Sequence, residues 1–295
     1  MGKEARQREW NLCEVGAVMH ATMQAEMRMA IAREGMVHVH GGTFIMGSDH
    51  HYLEERPAHR VSVGDFFIDE VPVTNRAFAG FVLATGYRTQ AEYPPAPQNY
   101  PGILPEMLYA GSLVFHSPDR PVDLRDWGQW WSFLKGADWR HPYGADSGIE
   151  GLDDHPVVHI AYDDALAFAR WQGKDLPTEA EWEFAARGGL DQVEYAWGEE
   201  FTPGGRHMAN TWQGPFPALN ELADGYARTS PVRAFPANGF GLYDMIGNVW
   251  EWTSDWFLAQ HQADLSKPCC IPTNPRGGTE AGSYDLSQPH LRIGR

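Results

Sequence analysis

The sequence predicts a mixed α/β (α+β) fold, formed by a single compact domain with little regular secondary structure. Its 295 residues include 31 Gly and 21 Pro, and 12 Trp is a high number for this length. This composition is typical of a compact fold with much irregular backbone rather than of a helical bundle. We find no internal repeat and no linker, so one domain is expected over residues 37–295, preceded by an N-terminal helical extension over residues 1–36.

The N-terminal extension is predicted to be helical because it is rich in Met and Ala, which are good helix formers. Gly35 is a plausible stop for this helix. The pattern then changes to short strands. Residues 41–47 form an apolar run between turn signals, and residues 60–63 alternate polar and apolar side chains, as expected for a half-buried strand.

Three further helix or strand signals follow. Thr74 can cap a helix whose apolar positions fall at helical spacing, and residues 155–160 are predicted to be a short strand. Asp163 or Asp164 can cap a helix that runs through Trp171. The five prolines within residues 93–105 indicate an extended loop. An irregular core is expected to be filled by four tryptophans that follow, Trp127, Trp130, Trp131 and Trp139.

A capping box predicts one more helix. Thr178 and Glu181 have the spacing at which the two side chains satisfy each other's backbone amides, and Gly188 with Gly189 ends the helix.

Charge and composition exclude several classes of protein. The net charge is −16, with 39 acidic against 23 basic side chains, which argues against a general nucleic-acid binder. An acidic chain is compatible with hard cations or a basic substrate. No apolar run approaches the length of a transmembrane helix, and the polar N-terminus has no signal-peptide pattern, so a cytoplasmic protein without a membrane partner is expected. Three cysteines are too few for a disulfide framework.

Residues 238–252 are the most informative segment. Glycines at positions 239, 241 and 247 are incompatible with an amphipathic helix, because each costs about 1 kcal/mol relative to Ala. A plain strand would not place Asp244 and Glu251 among so many apolar groups. The segment therefore indicates an irregular backbone held by an ion, a substrate or packing.

Three loop segments carry oxygen donors of the kind that calcium prefers. They are residues 210–214, residues 223–226 and the segment around Asp244 and Glu251. Their carboxylates, amides and carbonyls favour a hard ion over zinc or copper. Asp-Gly and Asn-Gly pairs are also common in plain turns, so spacing alone leaves both interpretations open.

Histidine and cysteine patterns are less specific. The histidine pairs are His38/His40, His50/His51 and His155/His159, and none has a third ligand at a diagnostic spacing. Cys269 and Cys270 are adjacent, which allows a soft-metal site, a vicinal disulfide or unreactive thiols, of which the last is favoured. Neighbouring side chains on an extended chain point in opposite directions, which disfavours a shared metal.

Taken in order, several motifs resemble those of the formylglycine-generating enzyme family, the sulfatase-modifying factors. The motifs are GTFIMGS at 42–48, PVTN at 72–75, HPVVH at 155–159, LPTEAEWE at 176–183, GNVWEW at 247–252 and KPCCIPTNPRG at 267–277. The resemblance covers about residues 37 to 293. It implies a single domain related to the C-type lectin fold.

The resemblance also implies a copper(I)- and dioxygen-dependent oxidase, which uses a thiol reductant. Such enzymes convert the cysteine of a sulfatase Cys-x-Pro-x-Arg motif into formylglycine, so a sulfatase polypeptide is the implied partner. The family's two copper-binding cysteines have no counterpart in this chain and would lie beyond Arg295, so no catalytic residue is assigned here. We expect copper only in a longer version, and a truncated sequence explains this better than a loss of function.

Two structural calcium sites are also implied by the resemblance. The first would use Asn210, the carbonyl of Thr211, Asp224 and the carbonyl of Tyr226. The second would use four further ligands, namely Asp244, the carbonyls of Gly247 and Val249, and Glu251.

Two alternatives to the oxidase remain at this point. A non-catalytic paralogue of the same fold would recognise sulfatases or other partners without consuming oxygen. A relative of the iron-dependent sulfoxide synthases is disfavoured, because the three-ligand iron motif is absent.

Overall fold

The computed structural model describes residues 33–100, 102–259, 261 and 271–283. Within these residues, short strands and helices alternate with long irregular connections, as the composition predicts. The strands are β1 (Met36–Val39), β2 (Gly42–Met46), β3 (His59–Val63), β4 (Phe66–Asp69), β5 (Gly111–Phe115) and β6 (Trp131–Lys135). The helices are α1 (Asn75–Thr85), α2 (Tyr162–Trp171) and α3 (Glu179–Arg187). One-turn 3-10 helices lie at Leu53–Glu55, Gln90–Glu92, Pro97–Asn99, Pro105–Met107, Trp127–Gln129, Pro203–Gly205 and Glu280–Gly282.

The described strands form three two-stranded antiparallel sheets. The hairpin β2–β3 is nested between β1 and β4, which pair with each other. In β3, His59, Val61 and Val63 are buried and Arg60 is exposed, so the predicted alternation is confirmed. The third sheet pairs β5 with β6.

The helix boundaries follow local capping signals. Thr74 Oγ1 accepts a hydrogen bond from the amide of Ala77 at 3.2 Å, which confirms the predicted start of α1. At α3, the amide of Glu181 donates to Thr178 Oγ1 and the amide of Thr178 donates to Glu181 Oε2, at 3.1 and 2.8 Å. Gly188 closes this helix with φ of 57°, so both predicted ends are confirmed.

Helix α2 begins in a slightly different way from the prediction. Ala161 occupies the N-cap, and Asp164 lies in the first turn, where its Oδ2 accepts from the amide of Ala161 at 2.9 Å. Asp164 also accepts from the hydroxyl of Tyr87 and the amide of Gln90. This carboxylate therefore ties α2 to the loop that follows α1.

Three clusters of buried side chains hold these elements together. Helix α3 contributes to two of them, against the nested hairpins on one side and residues 242–245 on the other. The third cluster joins α1 and α2 through Phe78, Phe81 and Phe168, with Trp139 packed between them. Trp130 and Trp139 are buried as predicted, whereas Trp127 is 59% exposed, so the prediction was wrong for Trp127.

The predicted strand at residues 155–160 is absent. Pro156 has no amide to donate to a sheet, and the neighbouring groups bond to the segment that precedes α1. The amide of Asn75 donates to His155 O at 2.9 Å, and the amide of Val157 donates to Val73 O at 2.9 Å. His159 then turns the chain with φ of 60°, which no strand residue adopts. The described residues of the five-proline loop, which exclude Pro101, include two of the 3-10 turns and are otherwise irregular, as predicted.

Residues 271–274 return to β3 late in the chain. The amide of Ser62 donates to Pro272 O at 2.8 Å, and the amide of Asn274 donates to Ser62 O at 2.7 Å. The side chain of Asn274 also accepts from the amide of Gly64. This segment therefore covers the open edge of β3.

Two sequence predictions fall largely or wholly outside the described residues. Residues 1–32 of the N-terminal helical extension are not described, while residues 33–35 form a turn in which Gly35 has φ of 75°. Cys13, Cys269 and Cys270 also lie outside the described residues. Among the described helices, none combines the length and the apolar character needed to cross a membrane.

Candidate functional site

The segment that contains the second predicted calcium ligands is a tight, irregular turn. Asp244 is buried at 9% exposure and adopts φ of 55°, which is uncommon for a residue with a side chain. Its Oδ2 accepts from the amide of Arg233 at 2.9 Å, and its Oδ1 accepts from Asn248 Nδ2 at 3.4 Å. Burial raises the pKa of Asp244. The carboxylate is therefore held in a desolvated position.

Gly247 and Asn248 bring this turn against the first predicted cluster. The amide of Asn248 donates to Asn210 O at 2.9 Å. At Gly247, φ is 76°, and a Cβ atom there would lie only 2.2 Å from Asn210 O. Glycine is required at this position on both counts, because the conformation and the close approach each exclude a side chain.

Glu251 lies on the wall of a large cavity, at the end of the same segment. Its Oε2 accepts from Trp182 Nε1 at 2.9 Å. The residue as a whole is exposed, although its carboxyl group is desolvated. Desolvation, with a smaller contribution from the charge of Asp244, raises the pKa of Glu251 to about 7.

The first predicted cluster is organised around Asp224. Its Oδ2 accepts from the amide of Thr211 at 3.0 Å, and its Oδ1 accepts from the amide of Tyr226 at 2.9 Å. The Nε2 amide of Gln213 contacts both Asp224 Oδ2, at 2.8 Å, and the carbonyl of Thr211. A donor group of Gln213 therefore lies between two of the oxygens that were predicted to bind a cation.

Asn210 links the two clusters. Its Nδ2 donates to Arg228 O at 2.7 Å and lies 3.4 Å from Asn248 Oδ1. Asn248 in turn exchanges hydrogen bonds with the backbone of Ser230, at 2.9 Å to its amide and 3.2 Å to its carbonyl. The predicted ligands of both sites thus belong to one connected set of loops.

Sequence reasoning missed two residues of this set. Gln213 and Asn248 were quoted inside the motifs but were given no role. Both act through side-chain amides on partners 11 to 18 residues away. The amide-rich composition of these loops was a signal of such bonding, but it could not identify the partners.

The large cavity lies beside the second cluster. It has a volume of about 2040 Å³, and residues 247–253 form part of its wall. Typical pockets for small molecules are about 300–1,000 Å³, so this cavity is large enough for an extended polypeptide. Trp252 Nε1 donates to Ile160 O at 2.9 Å and anchors this wall to the chain before α2.

His159 also lines the cavity, but its ring is fully engaged. Its Nδ1 lies 2.9 Å from Ser112 Oγ and its Nε2 lies 2.8 Å from Pro142 O. Burial lowers the pKa of His159, which keeps the ring neutral. His155 is similarly bonded to Thr229 Oγ1 at 3.0 Å. Both histidines of this pair are therefore engaged by neighbouring groups of the fold.

A second perturbed carboxyl group lies at the start of α3. Burial, followed by the charges of Glu183 and Asp255, raises the pKa of Glu179 to about 7. In the unfolded chain this pKa is near 4.5, so the folded state binds more protons than the unfolded state between these two pH values. The contribution of Glu179 to the stability of the folded state is therefore fully present below pH 4.5 and is lost as the pH rises through about 7.

We expect Glu179→Gln to remove this loss, because the amide stays neutral. Relative to the variant, the wild-type free energy of unfolding should fall by on the order of 2–3 kcal/mol between about pH 4.5 and about pH 8, allowing for partial solvent exposure. Denaturant unfolding across this range measures the difference. Glu106→Gln, at an exposed carboxyl group, is the control and should track the wild type. Parallel pH profiles for wild type and Glu179→Gln would contradict the assignment.

The fold and these loops define a class of protein: a mixed α/β domain whose candidate site is built on irregular, oxygen-rich loops rather than on helices or sheets. Comparison with known proteins gives the family. The family model described as "Sulfatase-modifying factor enzyme 1-like domain" matches residues 21–292. The chain belongs to this family of sulfatase-modifying factors, the formylglycine-generating enzymes.

Individual relatives agree with this assignment. The chain is 56% identical over 238 residues to the formylglycine-generating enzyme of Mycobacterium tuberculosis, covering 80% of this chain and 79% of the relative. It is 43% identical over 230 residues to inactive C-alpha-formylglycine-generating enzyme 2 of Mus musculus, covering 75% of this chain and 69% of the relative. Among solved structures, PvdO from Pseudomonas aeruginosa matches with a TM-score of 0.50 at 23% identity, covering 82% of this chain and 78% of that one, which supports the fold alone.

Proposed function

We propose that this chain is the scaffold of a formylglycine-generating oxidase that acts on the cysteine of a sulfatase Cys-x-Pro-x-Arg motif. The observation that carries the proposal is the 56% identity to a formylglycine-generating enzyme over 80% of this chain. The size of the cavity beside residues 247–253 supports a polypeptide rather than a small molecule as substrate.

We also propose that the two loop clusters hold structural calcium ions. The donor set supports this, because it consists of carboxylates and backbone carbonyls, which are calcium ligands, and contains no histidine or cysteine. The charge of Asp244, which contributes to raising the pKa of Glu251, is a second support, since a dication would offset that repulsion. At the first cluster, the amide of Gln213 would have to yield its contacts with Asp224 and Thr211 to the ion.

Copper(I) held by two thiolates would supply the oxidation chemistry. Because every cysteine of this chain lies outside the described residues, no copper ligand and no step of the oxidation is assigned to residues of this structure. The proposed contribution of the described residues is positional. The turn at Asp244 fixes residues 247–252 as a cavity wall, and the Trp252 bond to Ile160 holds that wall in place.

The activity test uses a peptide with the Cys-x-Pro-x-Arg motif, supplied with copper(I), dioxygen and a thiol reductant. Mass spectrometry of the peptide measures the conversion of cysteine to formylglycine. We expect conversion by a version of the protein extended past Arg295 with the family's cysteine pair, and peptide binding without conversion by the 295-residue chain. A peptide in which Pro and Arg are replaced by Ala is the control. A folded extended version that binds copper but leaves the cysteine unchanged would refute the oxidase.

A non-catalytic paralogue is the second candidate. The observation that favours it is the 43% identity to an enzyme named as inactive, over a similar length. This candidate predicts that the peptide binds and that dioxygen is not consumed, even in the extended version. Oxygen-electrode measurements on that version therefore separate the two functions.

We expect calcium to stabilise chelator-treated protein, because an ion that binds only the folded state shifts the unfolding equilibrium. For each site, the gain is about 2.7 kcal/mol when calcium is at 100 times its dissociation constant. Glu251→Gln keeps an acceptor for Trp182 but removes the charge, and should lose the gain of the second site. Calorimetric melting with and without calcium measures the effect. Glu106→Gln should respond as wild type does, and an unchanged melting temperature in wild type would remove the calcium proposal.

A further inference from the structure

We propose that His38, His40 and Asp65 form a third metal site, for a divalent transition ion such as zinc. These residues lie in the nested hairpins and not in the two loop clusters. Their ligand atoms all lie within 4.8 Å of one another. The proposal is independent of the proposed function, and of calcium.

The backbone brings the three residues together across two chain connections. His38 is on β1, and His40 follows two positions later, so the two rings project from the same face. Asp65 lies in the turn between β3 and β4, and β4 is paired with β1. The amide of Gly41 donates to Asp65 Oδ1 at 2.9 Å. This bond orients the carboxylate and leaves Oδ2 facing the two histidines.

The distances fit tetrahedral coordination. Asp65 Oδ2 lies 3.4 Å from His38 Nε2 and 3.3 Å from His40 Nδ1. A tetrahedral zinc ion with bonds of about 2.0–2.1 Å separates its ligand atoms by about 3.3 Å. Two of the three distances between ligand atoms therefore already match those of a tetrahedral site. The ligand atoms of the two histidines, which form the third pair, lie within 4.8 Å of each other.

The donor set selects the class of ion. Two imidazoles with one carboxylate favour zinc, nickel or copper(II) over calcium and magnesium, which prefer oxygen. The side chains of His40 and Asp65 are 81% and 60% exposed, so water can reach the ion and occupy the fourth position. Three protein ligands with one open position is the arrangement of an accessible zinc site.

Neighbouring groups set the charge and the rigidity of the site. The ring of His38 stacks on Phe67, with centroids 4.7 Å apart, which limits its movement. The guanidinium of Arg33 lies 4.2 Å from the centroid of the same Phe67 ring. Its positive charge disfavours a dication, and the negative charge of Asp65 is therefore a necessary part of the site.

Bound zinc would join the connection between β1 and β2 to the connection between β3 and β4. Among the described residues, the Gly41–Asp65 hydrogen bond and the contacts of the two histidines with Asp65 link the side chains of these two connections. The ion would add a further link between these two connections.

The test is a zinc titration of the full chain by isothermal titration calorimetry. The protein is first treated with chelator, its cysteines are alkylated, and calcium is kept in excess so that thiols and oxygen-rich loops do not take up zinc. We expect His40→Gln and Asp65→Asn each to bind one zinc ion fewer than wild type, or to bind that ion at least ten-fold more weakly. Cobalt(II) in place of zinc should give the intense visible bands of a tetrahedral ion in wild type but not in His40→Gln or Asp65→Asn.

His141→Gln is the matched control. His141 Nδ1 lies 3.1 Å from Asp138 Oδ1, but this pair belongs to no three-ligand cluster among the described residues. It should bind zinc as wild type does. All the altered side chains are partly or fully exposed, and circular dichroism checks that each variant is folded. Equal zinc binding by wild type, His40→Gln and Asp65→Asn would overturn the proposal, as would an equal loss in His141→Gln.

Discussion

Replacing Gly247 with alanine is expected to lower the free energy of unfolding by about 3 kcal/mol or more and to weaken the proposed calcium binding at least ten-fold. The left-handed backbone at this position is strained for any residue with a side chain, at about 1–3 kcal/mol. The added Cβ would also lie 2.2 Å from Asn210 O, so the backbone itself must move. That movement would separate the two loop clusters that the amide of Asn248 and the carbonyl of Asn210 hold together.

Gly241→Ala separates these two causes. Gly241 has a similar φ of 84°, but a Cβ there would meet nothing within 4 Å. It should therefore lose only the conformational component, about 1 kcal/mol, and keep its calcium affinity. Denaturant unfolding and calcium titration of the two variants give the comparison. If both variants behave alike, the close approach to Asn210 has no energetic role.

Replacing Phe78 with alanine is the second large change, and we expect it to cost about 3–5 kcal/mol of unfolding free energy. Phe78 is 1% exposed and lies at the centre of the cluster that joins α1 to α2. Its ring contacts three aromatic rings, those of Phe81, Trp139 and Phe168, with centroids 5.2 to 5.8 Å apart. Alanine would leave a cavity that this many rigid rings cannot readily fill.

Leu83→Ala on the same helix is the control. Leu83 is 89% exposed, and its truncation should change stability by less than about 0.5 kcal/mol. Chemical denaturation of both variants measures the difference. A loss below about 1 kcal/mol for Phe78→Ala would mean that the cluster collapses around the missing ring.

Local signals in the sequence predicted the helices well. The capping box of Thr178 and Glu181 and the stop at Gly188 were correct because each depends on residues three to ten positions apart. The segment at residues 155–160 failed for the opposite reason. Its apolar run suggested a strand, but its hydrogen bonds go to Val73 and Asn75, about 80 residues earlier, and Pro156 removes a donor.

The candidate sites show the same contrast between short local motifs, which could be recognised, and long-range contacts, which could not. The oxygen-rich loops were visible because each motif is short and its residue types are informative. The contacts that join the loops, such as those from Asn248 to Ser230 and Asn210, depend on tertiary folding and were not predictable from spacing. Asp65 was missed as a partner of His38 and His40 because 25 residues separate it from His40. The pairings of β1 with β4 and of β2 with β3 bring them together.

The late return of residues 271–274 to β3 has a consequence for protein synthesis. β3 leaves the ribosome more than 200 residues before the carbonyl of Pro272 that accepts from Ser62. During translation residues 272–274 therefore cannot cover its outer edge until more than 200 further residues have been made, and exposed strand edges are prone to pair with other chains. The nascent protein is expected to be most prone to aggregation in this interval and to gain protection once the segment around Asn274 has emerged.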